Sequence, residues 1–171
     1  MIKLNAMSNT MISDYREENF DEVLAVINDA ATAYKGIIPA DCWHEPYMSA
    51  VDLQDEIDAG VSFKVMCDEK NTIAGVMGAQ PVQDVLLIRH AYVRTTMRRC
   101  GMGSKLILDI QEGTTSSILV GTWSAATWAI NFYKGHGFKV QDIIQTRDLL
   151  KKYWSVPERQ AKQSVVLVHQ S

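Results

Sequence analysis

Between residues 86 and 110 the chain runs from an apolar strand, through a short basic loop with glycines, into an amphipathic helix. This succession constrains the fold more than any other stretch. Leu86-Leu87-Ile88-Arg89-His90-Ala91-Tyr92-Val93 has the length and apolar content of a largely buried strand. The loop ends in Arg98-Arg99-Cys100-Gly101-Met102-Gly103. A helix opening at about Gly103 then carries Leu106, Ile107 and Ile110 on one face. Glycines just ahead of a helix N-terminus let an anion approach the backbone. Unpaired N–H groups and the positive end of the helix dipole hold it there, and two arginines add charge-assisted donors. The pattern reads as an anion site suited to a cofactor pyrophosphate. An ordinary glycine turn capping a core helix gives the same local string.

The surrounding segments argue against a dinucleotide-binding fold around this loop. Strand-like runs at 61–67, 72–80 and 85–93 are joined by the turns 68–71 and 81–84, which predicts an antiparallel meander. The acidic residue expected some 20 positions after a dinucleotide loop is also missing. A chain of 171 residues with 47% hydrophobic and 22% charged residues suits one globular domain spanning 1–171. The net charge of −3 disfavours a nucleic-acid binder. No apolar run reaches the ~20 residues of a membrane span, and Met1 to Thr10 lacks the apolar centre of a secretory signal. Cys42, Cys67 and Cys100 are odd in number and lack metal-ligand spacing, so reduced thiols, a cytoplasmic location and no metal are expected.

The remaining elements follow from periodicity and caps. A first strand is expected within residues 2–15, with Met11-Ile12-Ser13 its best part. Asn19 with Glu22 predicts a capped helix whose apolar stripe is Phe20, Val23, Leu24, Ile27, Ala31 and Tyr34, stopped at Gly36. Residues 37–48 form a loop, and Ser49 with Asp52 starts a second helix that stops at Gly60. After the 86–110 unit come a strand at 118–123 and a helix capped by Ser124 and stopped at Gly135-His136-Gly137. A strand at 138–144, a helical turn at 147–154 and a last strand at 163–169 complete the chain.

Two of these stretches resemble the GNAT acyltransferase superfamily. Arg98-Arg99-Cys100-Gly101-Met102-Gly103, after a strand ending Ala91-Tyr92-Val93, matches its acyl-CoA pyrophosphate loop. Ala129-Ile130-Asn131-Phe132-Tyr133-Lys134-Gly135-His136-Gly137-Phe138 is similar to its second signature, an alanine, then Phe-Tyr, then Gly-Phe. The resemblance implies an α/β (α+β) fold with a mixed, mostly antiparallel sheet of six or seven strands. The sheet would splay between strands 4 and 5 and carry helices on both faces. It further implies acetyl-CoA as co-substrate, a primary amine of a small molecule or peptide as acceptor, and direct attack in a ternary complex. A homodimer is the expectation it carries for assembly. The stretches 33–47 and 153–160 are similar to a narrower group of members with no substrate attached.

Residue by residue, the resemblance places the pantetheine arm along Ala91, Tyr92 and Val93 like an added strand. The pyrophosphate falls at Arg98, Arg99, Cys100, Gly101, Met102, Gly103 and Ser104. Tyr133 takes the role of proton donor to the leaving thiolate, which a phenol of ordinary pKa near 10 suits. An amine acceptor must also lose a proton. Family members often carry Glu or His for this on the strand face shared with Ala91 and Val93, where this chain has Leu87 and Arg89. His90 is the candidate base, one step off and facing the other way unless a bulge re-aims it. His44, Glu45 and a water chain are alternatives. Ala126 replaces the asparagine that often opens the second motif. Trp43, His44, Glu45, Tyr47 and Trp123 are candidates to line the acceptor pocket. Because the usual base positions are empty, a catalytically silent acyl-CoA-binding module stands as the other reading. A nucleotide-binding domain is a third.

Overall fold

The computed structural model describes residues 11–170. Seven strands form one sheet in the order β1-β2-β3-β4-β5-β7-β6: β1 Ile12–Asp14, β2 Ser62–Cys67, β3 Ile73–Val82, β4 Val85–Val93, β5 Ser117–Trp123, β6 Lys139–Val140 and β7 Ser164–His169. All neighbours are antiparallel except β4 and β5. The expected first strand is thus β1 at residues 12–14, and its 2–10 portion lies outside the described residues. The hairpin between β3 and β4 is tighter than expected. Val82 pairs with Val85, so only Gln83 and Asp84 turn the chain, with Gln83 at φ 52°.

Helices cover both faces. On one, α3 (Met102–Glu112) and α4 (Thr127–Gly135) set Leu106, Ile107, Ile110 and Tyr133 against Met77, Ile88, Ile118, Val120 and Leu167. On the other, α1 (Phe20–Ala31) and α2 (Ala50–Asp58) bury Val23, Val26, Ile27 and Leu53 on Phe63, Val65, Ile73 and Val76. Helix α5 (Ile143–Tyr153) covers Leu87, Leu119 and Val166 on that same side, and a one-turn helix, α6 (Glu158–Ala161), leads into β7. Burial of these apolar faces supplies the main stabilisation.

Several local expectations are corrected by longer-range contacts. Residues 138–144 are not one strand. Only Lys139–Val140 pair, and Asp142 ends the run by accepting from Gln145 N at 2.8 Å, a capping box that starts α5 at Ile143. The turn expected at 147–154 is the body of that helix. Ser124 does not cap α4, whose N-cap is Ala126. Asn19 precedes α1 but makes no side-chain cap; its Oδ1 accepts from Arg16 N instead, while Glu22 accepts from Ile73 N at 2.9 Å. Ser49 and Asp52 form the capping box of α2 as expected.

Candidate active site

Strands β4 and β5 run side by side only from Val85 to Ile88 and from Ser117 to Val120. Beyond that point each keeps its outer partner: β4 stays on β3 as far as Val93, and β5 stays on β7 as far as Trp123. The inner edges of 89–93 and 121–123 therefore part into a V. A cavity of about 760 Å³ occupies the opening. His90, Ala91, Tyr92 and Val93 line it from one arm and Val120, Gly121 and Thr122 from the other. Ala91–Val93 have no strand on their inner edge, so an extended ligand can pair there.

At one end of the cavity the loop before α3 turns its backbone inward. Arg99 stands at φ 62° and Gly101 at φ 79°, two left-handed residues that bend the chain ahead of α3. The first helical hydrogen bond runs from Lys105 N to Gly101 O at 3.1 Å, so the amides of Met102, Gly103 and Ser104 have no helical acceptor. All three residues line the cavity, as do Arg98 and Arg99. Cys100 is exposed and does not; its Sγ lies 3.6 Å from Arg98 O. The turn is tethered to α1. Asp29 accepts from Thr95 N at 2.6 Å and from its hydroxyl at 3.1 Å, and Arg98 Nη2 donates to Ala30 O at 3.3 Å. Gly103 lies so close to Phe132 that a Cβ would stand 3.2 Å from the ring, which is how α3 and α4 come together beside the turn.

Tyr133 lines the cavity from α4, with its ring set edge-on against Phe132 at 5.1 Å and Phe138 at 5.3 Å. Burial, helped by neighbouring Tyr34, pushes its pKa well above that of a free phenol, so the hydroxyl holds its proton at any neutral pH. Tyr34 reaches the cavity from just beyond α1, stacked on Tyr47 at 6.0 Å and tilted against Trp128 at 5.5 Å. Burial first, then Tyr47, raises its pKa to about 12 against the lowering effect of a hydrogen bond with Thr122.

A bulge explains where His90 points. Val76 pairs with Tyr92 and Gly78 with Arg89, so His90 and Ala91 together oppose Met77, and His90 takes φ 52°. The extra residue reverses alternation below it. Leu86 and Ile88, rather than Leu87 and Arg89, share the face of Ala91 and Val93. Arg89, His90 and Tyr92 share the opposite face, where the His90 ring lies between Phe63 at 6.2 Å and Tyr92 at 6.5 Å. His90 still lines the cavity, because the V opens through the sheet. Its Nε2 is 3.4 Å from Glu56 Oε2 on α2, inside ion-pair reach but without good hydrogen-bond geometry. Glu56 was not singled out from sequence; no local pattern joins it to a residue 34 positions away.

The cavity brings together the pyrophosphate-loop residues other than Cys100, the Ala91–Val93 edge, His90 and Tyr133. The five acceptor-pocket candidates are not among its lining residues. Trp123 is buried and Trp43 packs beside it with Ile38 and Ala126. Tyr47 sits behind Tyr34. His44 and Glu45 are exposed, and Glu45 pairs with Lys35. Tyr34, Ile37, Trp128 and Thr122 do line the cavity. Among the described residues no group of three or more His, Cys, Asp or Glu could hold a metal ion, and no helix is long and apolar enough to cross a membrane.

A parallel strand pair thus splays open beside a turn whose amides have no helical acceptor. Residues 12–151 match the family model for the acetyltransferase (GNAT) domain, and the chain belongs to that family. Solved structures share the fold at low identity. An acetyltransferase from Streptococcus agalactiae 2603 has a TM-score of 0.69 and 15% identity, over 95% of this chain and 99% of that one. The PaiA N-acetyltransferase of Thermoplasma acidophilum, in complex with coenzyme A, gives 0.68 and 16%, over 94% and 99%. The ribosomal-protein-S18-alanine N-acetyltransferase of Escherichia coli gives 0.65 and 11%, over 93% and 92%. No curated protein matches the chain. The protein is an acetyltransferase.

Proposed function

We propose that this protein moves an acetyl group from acetyl-CoA to a primary amine of a small molecule or peptide, by direct attack in a ternary complex. One observation carries the reading: Met102, Gly103 and Ser104, whose amides have no helical acceptor, and Tyr133 line the same cavity, in the gap between β4 and β5. The amides of Met102, Gly103 and Ser104, with Arg99 beside them, suit a diphosphate. The free edge of Ala91, Tyr92 and Val93 suits the amide-bearing arm. Bound there, acetyl-CoA supplies an activated acetyl thioester.

The chain's own residues divide the proton work. Tyr133, protonated by virtue of its burial, donates from its hydroxyl to the departing sulfur. His90 takes the proton that the attacking amine must lose. A backbone N–H near Tyr92 or Val93 faces the charge that develops on the carbonyl oxygen. Neither acid nor base shares a sheet face with the other, which lets amine and thioester meet through the V from opposite sides.

Free thiol release, followed over a panel of amines and peptides, tests the assignment. Turnover that falls at least about 100-fold in Tyr133→Phe supports it. Tight acetyl-CoA binding without turnover on any acceptor would make the protein an acyl-CoA-binding module instead.

A further inference from the structure

We infer that Glu56 is a positioning residue for His90, fixing which ring nitrogen carries the proton and leaving the other one bare toward the acceptor. The inference rests on His90 serving as the amine base. The carboxylate of Glu56 is divided between two neighbours. Its Oε1 accepts from Arg89 Nη2 at 2.6 Å, and its Oε2 stands 3.4 Å from His90 Nε2. Arg89 is itself held, donating from Nη1 to Gln80 Oε1 at 3.0 Å. One oxygen is thus committed, and the other lies within ion-pair reach of the imidazole though outside hydrogen-bond geometry.

His90 Nε2 is buried and has no hydrogen-bonded partner among the described residues, and the Glu56 carboxylate, 3.4 Å away, is the anion within ion-pair reach of it. A neutral imidazole beside a carboxylate places its proton on the near nitrogen. Nδ1 is then the bare nitrogen, and with Nε2 buried it is the one left for the cavity that His90 lines. The bulge makes the arrangement possible. Regular alternation would send Arg89 and His90 to opposite faces, whereas here consecutive residues reach one carboxylate. A histidine held at φ 52° mid-strand is a strained placement of the kind found at working sites. Glu56 remains ionised: burial raises its pKa, but His90 and Arg89 outweigh that and bring it below the ordinary value.

In the step itself, the amine N–H bond breaks and its proton joins the Nδ1 lone pair. The imidazolium keeps its Nε2 proton, and the Glu56 carboxylate stabilises the new charge without taking a proton, after which Nδ1 releases its proton to water. Phe63 and Tyr92 cover the ring, while Glu56 from α2 and Arg89 from β4 are the charged groups beside it.

The test combines ¹⁵N-imidazole NMR on the free protein with kinetics of Glu56→Gln. Wild type should show the Nε2–H tautomer at His90; an Nδ1–H tautomer overturns the inference and needs no variant to fold. In Glu56→Gln, Arg89 claims the amide oxygen, so the NH₂ faces Nε2 and drives the proton to Nδ1. The expected signature is a switched tautomer and a kcat at least about tenfold lower, a part of the 10²–10⁴ that general-base catalysis supplies. KM for acetyl-CoA should stay within about twofold, since Glu56 does not line the cavity. Glu56→Asp should recover part of the rate. Full kcat in Glu56→Gln alongside a crippled His90→Gln removes Glu56 from the scheme and leaves His90 as base. Full kcat in His90→Gln removes both.

Discussion

A Cβ built on Gly78 would stand 2.7 Å from the carbonyl oxygen of Arg89, the residue it pairs with across β3 and β4. The strands approach this closely only because position 78 has no side chain, and the approach falls beside the bulge that sets His90. Gly78→Ala must push back both Arg89 and Val61, whose Cγ1 would lie 2.9 Å away. The expected result is a loss of about 1–3 kcal/mol in denaturant unfolding, with kcat falling as the bulge relaxes. Wild-type stability and rate in Gly78→Ala would show that the strand pair tolerates a methyl group there.

This relationship also shows what was legible beforehand. The turn at 98–103 and the Phe132-Tyr133 pair are short, contiguous patterns, and each keeps its meaning wherever the rest of the chain lies. The bulge left one local mark, a glycine inside an apolar strand, which alternation alone passed over. Glu56 with His90 and Asp29 with Thr95 are joined only by the packing of α1 and α2 on the sheet, and no spacing rule connects them. Ile143 and Ile144 look like strand residues but are 86% and 60% exposed at the start of a helix. There the Asp142–Gln145 capping box, itself readable, prevails over β-propensity. Trp43 and Trp123 were expected at the acceptor because aromatics serve both cores and pockets, and the structure packs them together in a cluster with Tyr34 and Ala129, which line the cavity where the two tryptophans do not.

Gly101 separates backbone strain from crowding. A Cβ there meets nothing within 4 Å, yet the residue holds φ 79°. Gly101→Ala should therefore cost about 1–2 kcal/mol through the left-handed backbone alone. If the alanine relaxes to negative φ, the turn amides swing away and KM for acetyl-CoA rises. Gly135→Ala is the control: its space is equally open and it lies in α4 without a positive φ, so stability should hold or rise by up to about 1 kcal/mol. Equal losses in the two variants would remove the special role of the turn.

Asp29 has no place in the cavity lining but holds the loop that enters it. In Asp29→Ala the Thr95 amide loses its acceptor at 2.6 Å, a partly buried donor left unpaired. The expected cost is about 1–3 kcal/mol, read as a lower denaturation midpoint. Acetyl-CoA affinity by calorimetry should weaken as well, because the same loop carries Arg98 and Arg99. Loss of stability with affinity intact would confine Asp29 to the fold.

Tyr34 and Tyr133 make the fold sensitive to alkali. Both have folded pKa values raised chiefly by burial, Tyr34 to about 12 and Tyr133 upward in the same direction, whereas an unfolded tyrosine titrates near 10. Below pH 10 both states keep these protons and neither residue contributes a slope. Above it the unfolded chain loses protons that the folded one retains, so unfolding becomes more favourable as pH rises. Each tyrosine contributes up to about 1.4 kcal/mol per pH unit until its own folded pKa is passed. Thermal melts from pH 8 to 11.5 should fall more steeply above about pH 10 than below it. Tyr34→Phe should make the descent shallower, since phenylalanine has no proton to lose. A Tyr34→Phe curve parallel to wild type above pH 10 would mean that this hydroxyl titrates freely and is not enclosed beside the cavity.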